Sequence, residues 1–403
     1  MPRLAFYAPL KSPRHPVPSG DRTLARLLLR GLRLAGWQVE LASSLRSYDG
    51  VGDPRQQQRL KARAERRAAA LIAAYRARPP EERPQAWFTY HLYHKAPDWI
   101  GPAVCRALAI PYLLCEASHA PQQEGGLWQD NLSDCVAAIR QAARIFIVNP
   151  RDEPGLATVL AEPTKVLRRL PPFIDAATPA RRRPRAELAR EAGLDPARPW
   201  LISVAMVRPG DKMASYRLMA ACYRRLLAEG RHLHWLIVGD GAAAAELDAL
   251  IADLPGAVRL GALDPPAAAP WLAASQLCVW PAVNESFGMA LLEAQAAGCP
   301  VVAGYGAGVA GIVDAASGRL VHDCNVERFS AAVATLLDDW AVRRAMAEAG
   351  PRYVREHHSL ARAAALLRAY WPAPSPLSSA IPEEAVPATA KRPRDEEEPH
   401  PDL

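Results

Sequence analysis

The chain has 403 residues, enough for two or three domains; half of them are hydrophobic and 23% are charged, which excludes both a stapled mini-protein and a globally disordered chain. The formal charge is +7, but after Trp371 three bases face seven acids, so the first 371 residues carry +11. A basic body favours an anionic partner, whether a phosphorylated small molecule, a lipid surface or nucleic acid, and sign alone does not choose among them.

Leu4–Ala8 reads as a short buried strand that Pro9 ends. A loop then runs to Gly20, and leucines at 24, 27, 28, 32 and 34 follow the helical i, i+3, i+4 repeat until Gly36. Trp37–Ala42 is the next strand, completing a β-α-β unit of the size a parallel crossover needs. The segment Pro54–Arg78 predicts a helix with eight bases against one acid, Glu65. A solvated helix face accounts for it most simply; peripheral contact with an anionic membrane is the functional reading, without deep insertion, because its apolar residues are mostly alanine. Strands at Ala86–Tyr90, Tyr112–Cys115 and Ile145–Asn149 alternate with helices at Trp99–Leu108 and Leu132–Ala142, closing a first α/β domain near residue 170.

The proline- and arginine-rich stretch 171–199 reads as a connection holding one short helix. A second series spans 200–350, with strands at 201–207, 234–240, Ala257–Leu260, Leu277–Pro281, Pro300–Ala303 and Gly318–Val321. Helices are predicted at Tyr216–Ala228, Ala243–Ala252, Ala267–Ala274, Met289–Ala297 and Val326–Leu337. Two doubly wound Rossmann-like α/β domains facing a cleft are the natural architecture, with ligands at the carboxyl ends of the strands. Residues 351–371 predict one long helix, and 372–403, with eight prolines and no hydrophobic periodicity, a disordered tail.

Seven scattered cysteines form no C-x-x-C pair, which predicts a reducing, cytoplasmic setting and neither a zinc site nor a disulfide framework. No stretch approaches the ~18–20 apolar residues of a spanning helix, and the N-terminus lacks a signal-like apolar run, so a soluble, unprocessed chain is expected.

Chemistry concentrates in Glu285-Ser-Phe-Gly-Met-Ala-Leu-Leu-Glu293, placed between an apolar strand and a helix. Backbone N–H groups of Phe287, Gly288 and Met289 at such a helix start would form an anion site, and Gly288 permits a phosphate to approach closely. Glu285 at the helix mouth and Glu293 about two turns on could accept hydrogen bonds from sugar and ribose hydroxyls. Residue types alone fit an ordinary acid-capped helix as well. Ser19-Gly20-Asp21, before the first helix, is a weaker candidate for amides facing a diphosphate. His91 and His94 follow one strand and His119 another.

Five segments occur in order and at proper spacing: VGDG at 238–241, VRLGALDP at 258–265, the E-x7-E segment 285–293, GCPVVAG at 298–304, and GRLV at 318–321 before a helix ending LLDD. Together they resemble the donor-binding, C-terminal half of retaining glycosyltransferases of family 4 (glycosyl transferases group 1), which have the GT-B fold. The first domain shares only its strand-helix rhythm. The resemblance implies a nucleotide-diphosphate sugar of UDP or GDP type bound mainly to the second domain, an unidentified acceptor on the first, transfer with retention, no cofactor, no metal and no nucleic acid. It assigns Glu285 to the transferred sugar, Glu293 to the ribose, and Phe287 and Gly288 to the diphosphate, beside the Met289 N–H of the same helix start. A histidine after the strand Tyr112–Cys115 belongs near the transferred carbon; His119 is the candidate, with Glu116 and Ala117 the alternative positions, and His91 and His94 carry less weight as cleft-lining or structural groups. A C-terminal helix crossing back to the first domain is also implied. Where the family shows Gly-Arg before Lys-Gly, this chain reads SVAMVRPGDKMAS, so Ala205 and Met206 take the Gly-Arg places, Met213 replaces glycine, and Arg208 and Lys212 are left as the diphosphate cations. That departure keeps two alternatives open: a sugar-nucleotide epimerase on the same fold, or a catalytically weak nucleotide-sugar-binding protein. A Rossmann dehydrogenase is disfavoured, since V-G-D-G is not the full G-x-G-x-x-G.

Overall fold

The computed structural model describes residues 1–17, 19–175 and 183–372, so the expected tail beyond Pro372 and part of the 171–199 connection lie outside the described residues. The first sheet contains β1 (Arg3–Tyr7), β2 (Gln38–Ser43), β3 (Ala86–Leu92), β4 (Tyr112–Ala117), β5 (Arg144–Ile147) and β6 (Leu167–Arg169), all parallel, in the order β2-β1-β3-β4-β5-β6. The second contains β7 (Trp200–Val204), β8 (His234–Val238), β9 (Ala257–Gly261), β10 (Leu277–Trp280), β11 (Val301–Gly304) and β12 (Gly318–Val321), again all parallel, in the order β12-β11-β10-β7-β8-β9. Inner strands such as Leu4-Ala5-Phe6-Tyr7 are fully buried, which is why they read as continuous apolar runs rather than alternating ones: helices cover both faces of a parallel sheet.

Strand order reverses at β1 in the first sheet and at β7 in the second, and the crevice outside such a reversal is where a doubly wound sheet takes its ligand. The chain emerging from β1, β3, β4, β7 and β10 therefore defines the region to search. β7 is shorter than the predicted run 201–207, because past Val204 the backbone leaves the sheet and bonds the β8 loop, Ala205 N–H to the Val238 carbonyl and Val207 N–H to that of Asp240. The following helix begins at Asp211 rather than Tyr216, since the Pro209-Gly210 break, with Gly210 at φ 80°, ends the loop early; Lys212 consequently sits on its first turn.

The single helix expected over 351–371 is instead two. Trp340–His357 packs on the second domain, with Met346 and Val354 in its core, and tolerates Pro351 in its interior. The chain bends at His358-Ser359, where Ser359 caps a second helix, Leu360–Ala369, by accepting from the Arg362 N–H. That helix buries Leu360, Ala363, Ala364 and Leu367 in the first-domain core. The bend lies beside the other crossing: Ile174 N–H donates to the His358 carbonyl and Leu360 N–H to that of Ile174, both at 2.9 Å, while His358 Nδ1 lies 2.7 Å from the Pro172 carbonyl. Two adjacent strands of chain thus join the domains.

The helix Pro54–Arg76 lays Leu60, Ala64, Ala68, Leu71 and Tyr75 on the first sheet and leaves Arg55, Arg59, Arg63 and Arg66 exposed. Among the described residues no helix is long and apolar enough to cross a membrane.

Candidate functional site

A cavity of about 340 Å³ lies between the carboxyl ends of the two sheets. The second domain supplies one wall from residues of two short segments: Val204–Lys212 after β7, and Trp280–Leu291 after β10. The first supplies the other from separate places: Ser19–Leu24 at the start of the first helix, Tyr90 and His91 at the end of β3, and Glu116 at the end of β4.

On the second-domain wall the backbone after β10 turns sharply, with Ala282 at φ 57° and Asn284 at φ 48°, both left-handed. Val283 N–H bonds Ser215 Oγ and Asn284 Nδ2 bonds Asp211 Oδ1, each at 3.0 Å, so the helix Asp211–Ala228 holds the turn. The turn carries Glu285 to Lys212, with which it forms an ion pair, and to the Trp280 indole, whose Nε1–H donates to Glu285 Oε2 at 3.1 Å. Lys212 also lies over the Trp280 ring, 5.3 Å from its centroid. The Lys212 and Glu285 side chains are only 19% and 13% exposed, so both charges face a confined space in which Coulomb interactions are stronger than in bulk water. Gly288, at φ 71°, caps the helix Met289–Ala296; a side chain there would be strained and would crowd Leu291. Gly308 has a different reason: a Cβ on it would fall 1.6 Å from the Ser286 carbonyl oxygen, so its absence lets the turn pack down. The first-turn N–H groups of this helix, which cannot bond within it, border the cavity beside Lys212.

Phe287, Gly288, Met289, Glu285, Lys212, Arg208 and Gly20 all line the cavity. Arg208 stands at its exposed rim. Ala205 and Met206 line it where the family pattern has Gly-Arg, placing apolar surface there, whereas Met213 is wholly buried in the second-domain core. Glu293 is not among the lining residues. Because the helix starts only at Met289, Glu293 lies about one turn into it rather than two turns from a helical Glu285, and burial pushes its carboxyl up to about 7.

The first-domain wall corrects the placement of His119. It lies in a separate shallow depression with Glu124, Gln129 and Arg140, two residues past β4 and outside the cleft. The cleft histidine is His91, and the cleft residue at the end of β4 is Glu116. His91 is part of β3 itself, with φ 66°, and its Nδ1 lies 3.2 Å from Asp21 Oδ1. Burial disfavours its imidazolium, yet Asp21, with Glu116 and Asp152 farther off, outweighs burial and holds the His91 pKa above its usual value. Asp21 stays ionised because that pairing overcomes its own desolvation. Ser19 caps the first helix by accepting from the Arg22 N–H at 3.2 Å, so Gly20 and Asp21 form a helix mouth that faces the cleft. Tyr90 and Trp280 carried no sequence signal beyond standing at strand ends, and Glu116 entered only as an alternative to His119; strand-end position was the usable clue. Among the described residues no group of three or more His, Cys, Asp or Glu is arranged to hold a metal ion.

Comparison with known proteins adds to this geometry. Residues 198–339 match the family described as glycosyl transferases group 1. D-inositol 3-phosphate glycosyltransferase of Thermobispora bispora is 32% identical over 200 residues, 46% of this chain and 46% of the relative. The aligned part spans about half the length of the first curated relatives. Among solved structures, sucrose-phosphate synthase from Thermosynechococcus elongatus superposes with a TM-score of 0.66 at 17% identity, covering 91% of this chain and 97% of that one. Anabaena HepE in complex with UDP and glucose gives 0.64 at 15%, covering 90% and 97%. At such identities the likeness shows the fold: the two six-stranded parallel sheets have the GT-B arrangement.

Proposed function

From the premise that the second domain belongs to the glycosyl transferases group 1 family and that the chain has the GT-B fold, we propose that this protein is a glycosyltransferase. It moves a sugar from a nucleoside diphosphate donor to an acceptor that enters along the first-domain wall. The observation that carries this reading is the second-domain wall itself: a confined cation, Lys212, held by Glu285 beside the glycine-capped helix mouth at Gly288. A bound sugar diphosphate would place its negative charge at Lys212, Arg208 and the helix N-terminus, which compensate the leaving group without a metal ion. Glu285 then reaches the transferred sugar and Glu293 the ribose. Transfer proceeds with retention: the bond from the anomeric carbon to the diphosphate oxygen breaks, its electron pair leaves with the diphosphate, and that oxygen takes the proton of the attacking acceptor hydroxyl on the same face.

Relatives and neighbours support the donor class, since one neighbour is described in complex with UDP and glucose. The chain works in the cytoplasm, consistent with seven unpaired cysteine thiols. The exposed arginines of Pro54–Arg76 supply a peripheral contact to anionic membrane.

Incubation with UDP-glucose, GDP-mannose and ADP-glucose in EDTA, followed by thermal shift and by analysis of the donor, tests the proposal. Stabilisation together with release of free nucleoside diphosphate is the expected result. An epimerised donor supports the epimerase alternative, stabilisation without any turnover supports a binding protein, and no response to any donor removes the reading.

A further inference from the structure

We propose, resting on the glycosyltransferase reading above, that the Glu116 carboxylate faces the transferred sugar across the cleft and stabilises the positive charge that develops on it as the bond to the diphosphate breaks.

Three observations converge on this residue. Glu116 lies near the end of β4 with φ 60°, a left-handed conformation that a non-glycine residue adopts at an energetic cost and that clusters at functional sites. Its Oε2 is buried and has no hydrogen-bond partner, although a buried polar atom left unpaired is destabilising. It also lines the same cavity as Lys212, Glu285 and Gly288, on the opposite wall. Strain and an unsatisfied oxygen at one side chain that closes no hydrogen-bond network are the signature of a group waiting for a ligand.

The surroundings explain why the ligand is electropositive. Among the described residues His91, at the end of β3, is the cation that bears on Glu116 from the first domain, and Asp21 of the first helix already engages it. Asp152, in the 3-10 segment Pro150–Asp152 after β5, adds a like charge rather than a counter-ion. Across the cleft Lys212 is occupied by Glu285, Arg208 stands at the rim, and the Tyr90 phenol beside His91 is neutral. Burial pushes the Glu116 carboxyl up to about 7, with His91 opposing and Asp152 and Asp21 adding to the rise. An approaching positive charge reverses that balance and favours the ionised form. In the reaction Glu116 forms no bond and takes no proton; the anomeric carbon–oxygen bond breaks, its pair leaves with the diphosphate, and the carboxylate balances the transient charge in a confined site.

Glu116→Gln keeps size and hydrogen bonding while removing the charge. Hydrolysis of UDP-glucose and GDP-mannose without acceptor, followed from pH 5.5 to 8.5, should show wild-type kcat rising through about pH 7 as the carboxyl ionises. In Glu116→Gln kcat should fall by roughly 100-fold and lose that acid limb, while UDP affinity stays within about twofold. The thermal midpoint of Glu116→Gln at pH 8 should exceed that of the wild type, because no unpaired charge is then buried. A Glu116→Gln protein that keeps wild-type kcat and the acid limb, or that loses UDP binding in proportion to activity, overturns the proposal. Failure of the glycosyltransferase reading is distinguishable: it appears in the wild type, as absence of binding and turnover with every donor.

Discussion

The two walls of the cleft are built from the same kind of fold yet differ in how their residues reach the site. The second-domain wall comes from residues of two short segments, 204–212 and 280–291, each a strand end running into a helix start. Its charges are arranged before any ligand arrives, Lys212 against Glu285 with Trp280 behind. The first-domain wall is assembled from residues near 20, 90 and 116, neighbours only because β1, β3 and β4 lie side by side. Its charges are not balanced, since His91 pairs directly with Asp21 and only partly offsets the burial of Glu116 and Asp152. On the proposed reading, the wall assigned to the recurring diphosphate is written locally, whereas the wall assigned to the acceptor and the transient charge is composed at long range.

Substitutions in the second domain, beside Glu116→Gln in the first, test this contrast. The largest effect belongs to Glu285→Ala, which removes the carboxylate proposed to reach the sugar and frees Lys212 from its ion pair. Turnover should fall by roughly 100- to 1000-fold while affinity for bare UDP changes little, read by steady-state kinetics beside isothermal titration. Equal losses in both would mean that Glu285 holds the nucleotide instead. Lys212→Ala comes next: a charge-assisted bond to the diphosphate worth about 1.5–3 kcal/mol predicts a roughly 10- to 100-fold weaker donor Kd.

Glu293→Gln probes stability. A carboxyl whose folded pKa is raised to about 7 binds more protons folded than unfolded, so the wild type loses stability as pH rises from near 4.5 through 7. The glutamine variant should flatten that fall and be the more stable protein at pH 8, by roughly 2–3 kcal/mol in urea denaturation. Glu293→Ala should weaken nucleotide-sugar binding as well. The smallest effect is expected at the departures from the family pattern. Arg208→Ala at the exposed rim should cost only a few-fold in donor affinity, and Met206→Arg, restoring a cation to the cavity edge, should raise UDP affinity several-fold in the same titration.

The fold was legible because parallel strands buried on both faces leave uninterrupted apolar runs, and LISV, HWLIV and LCVW need no partner to be recognised. Glu285, Lys212 and Gly288 were legible for the local reason above. His119 was misplaced because counting along the chain cannot tell that β4 stops at Ala117 and that the next residues turn into another depression. Glu116 was open as an alternative, but its left-handed backbone and unpartnered oxygen exist only in three dimensions. The His358-Ser359 bend was hidden because helical periodicity continues through both of the helices it separates, and the turn is fixed by bonds to Pro172 and Ile174, nearly two hundred residues away.

Titration of UDP-glucose and GDP-mannose into the wild type, Lys212→Ala and His119→Ala tests the central claim most directly. Saturable binding of at least one donor by the wild type is expected, weakened at least tenfold by Lys212→Ala and unchanged by His119→Ala. Donor affinity that survives Lys212→Ala but falls in His119→Ala would contradict that claim.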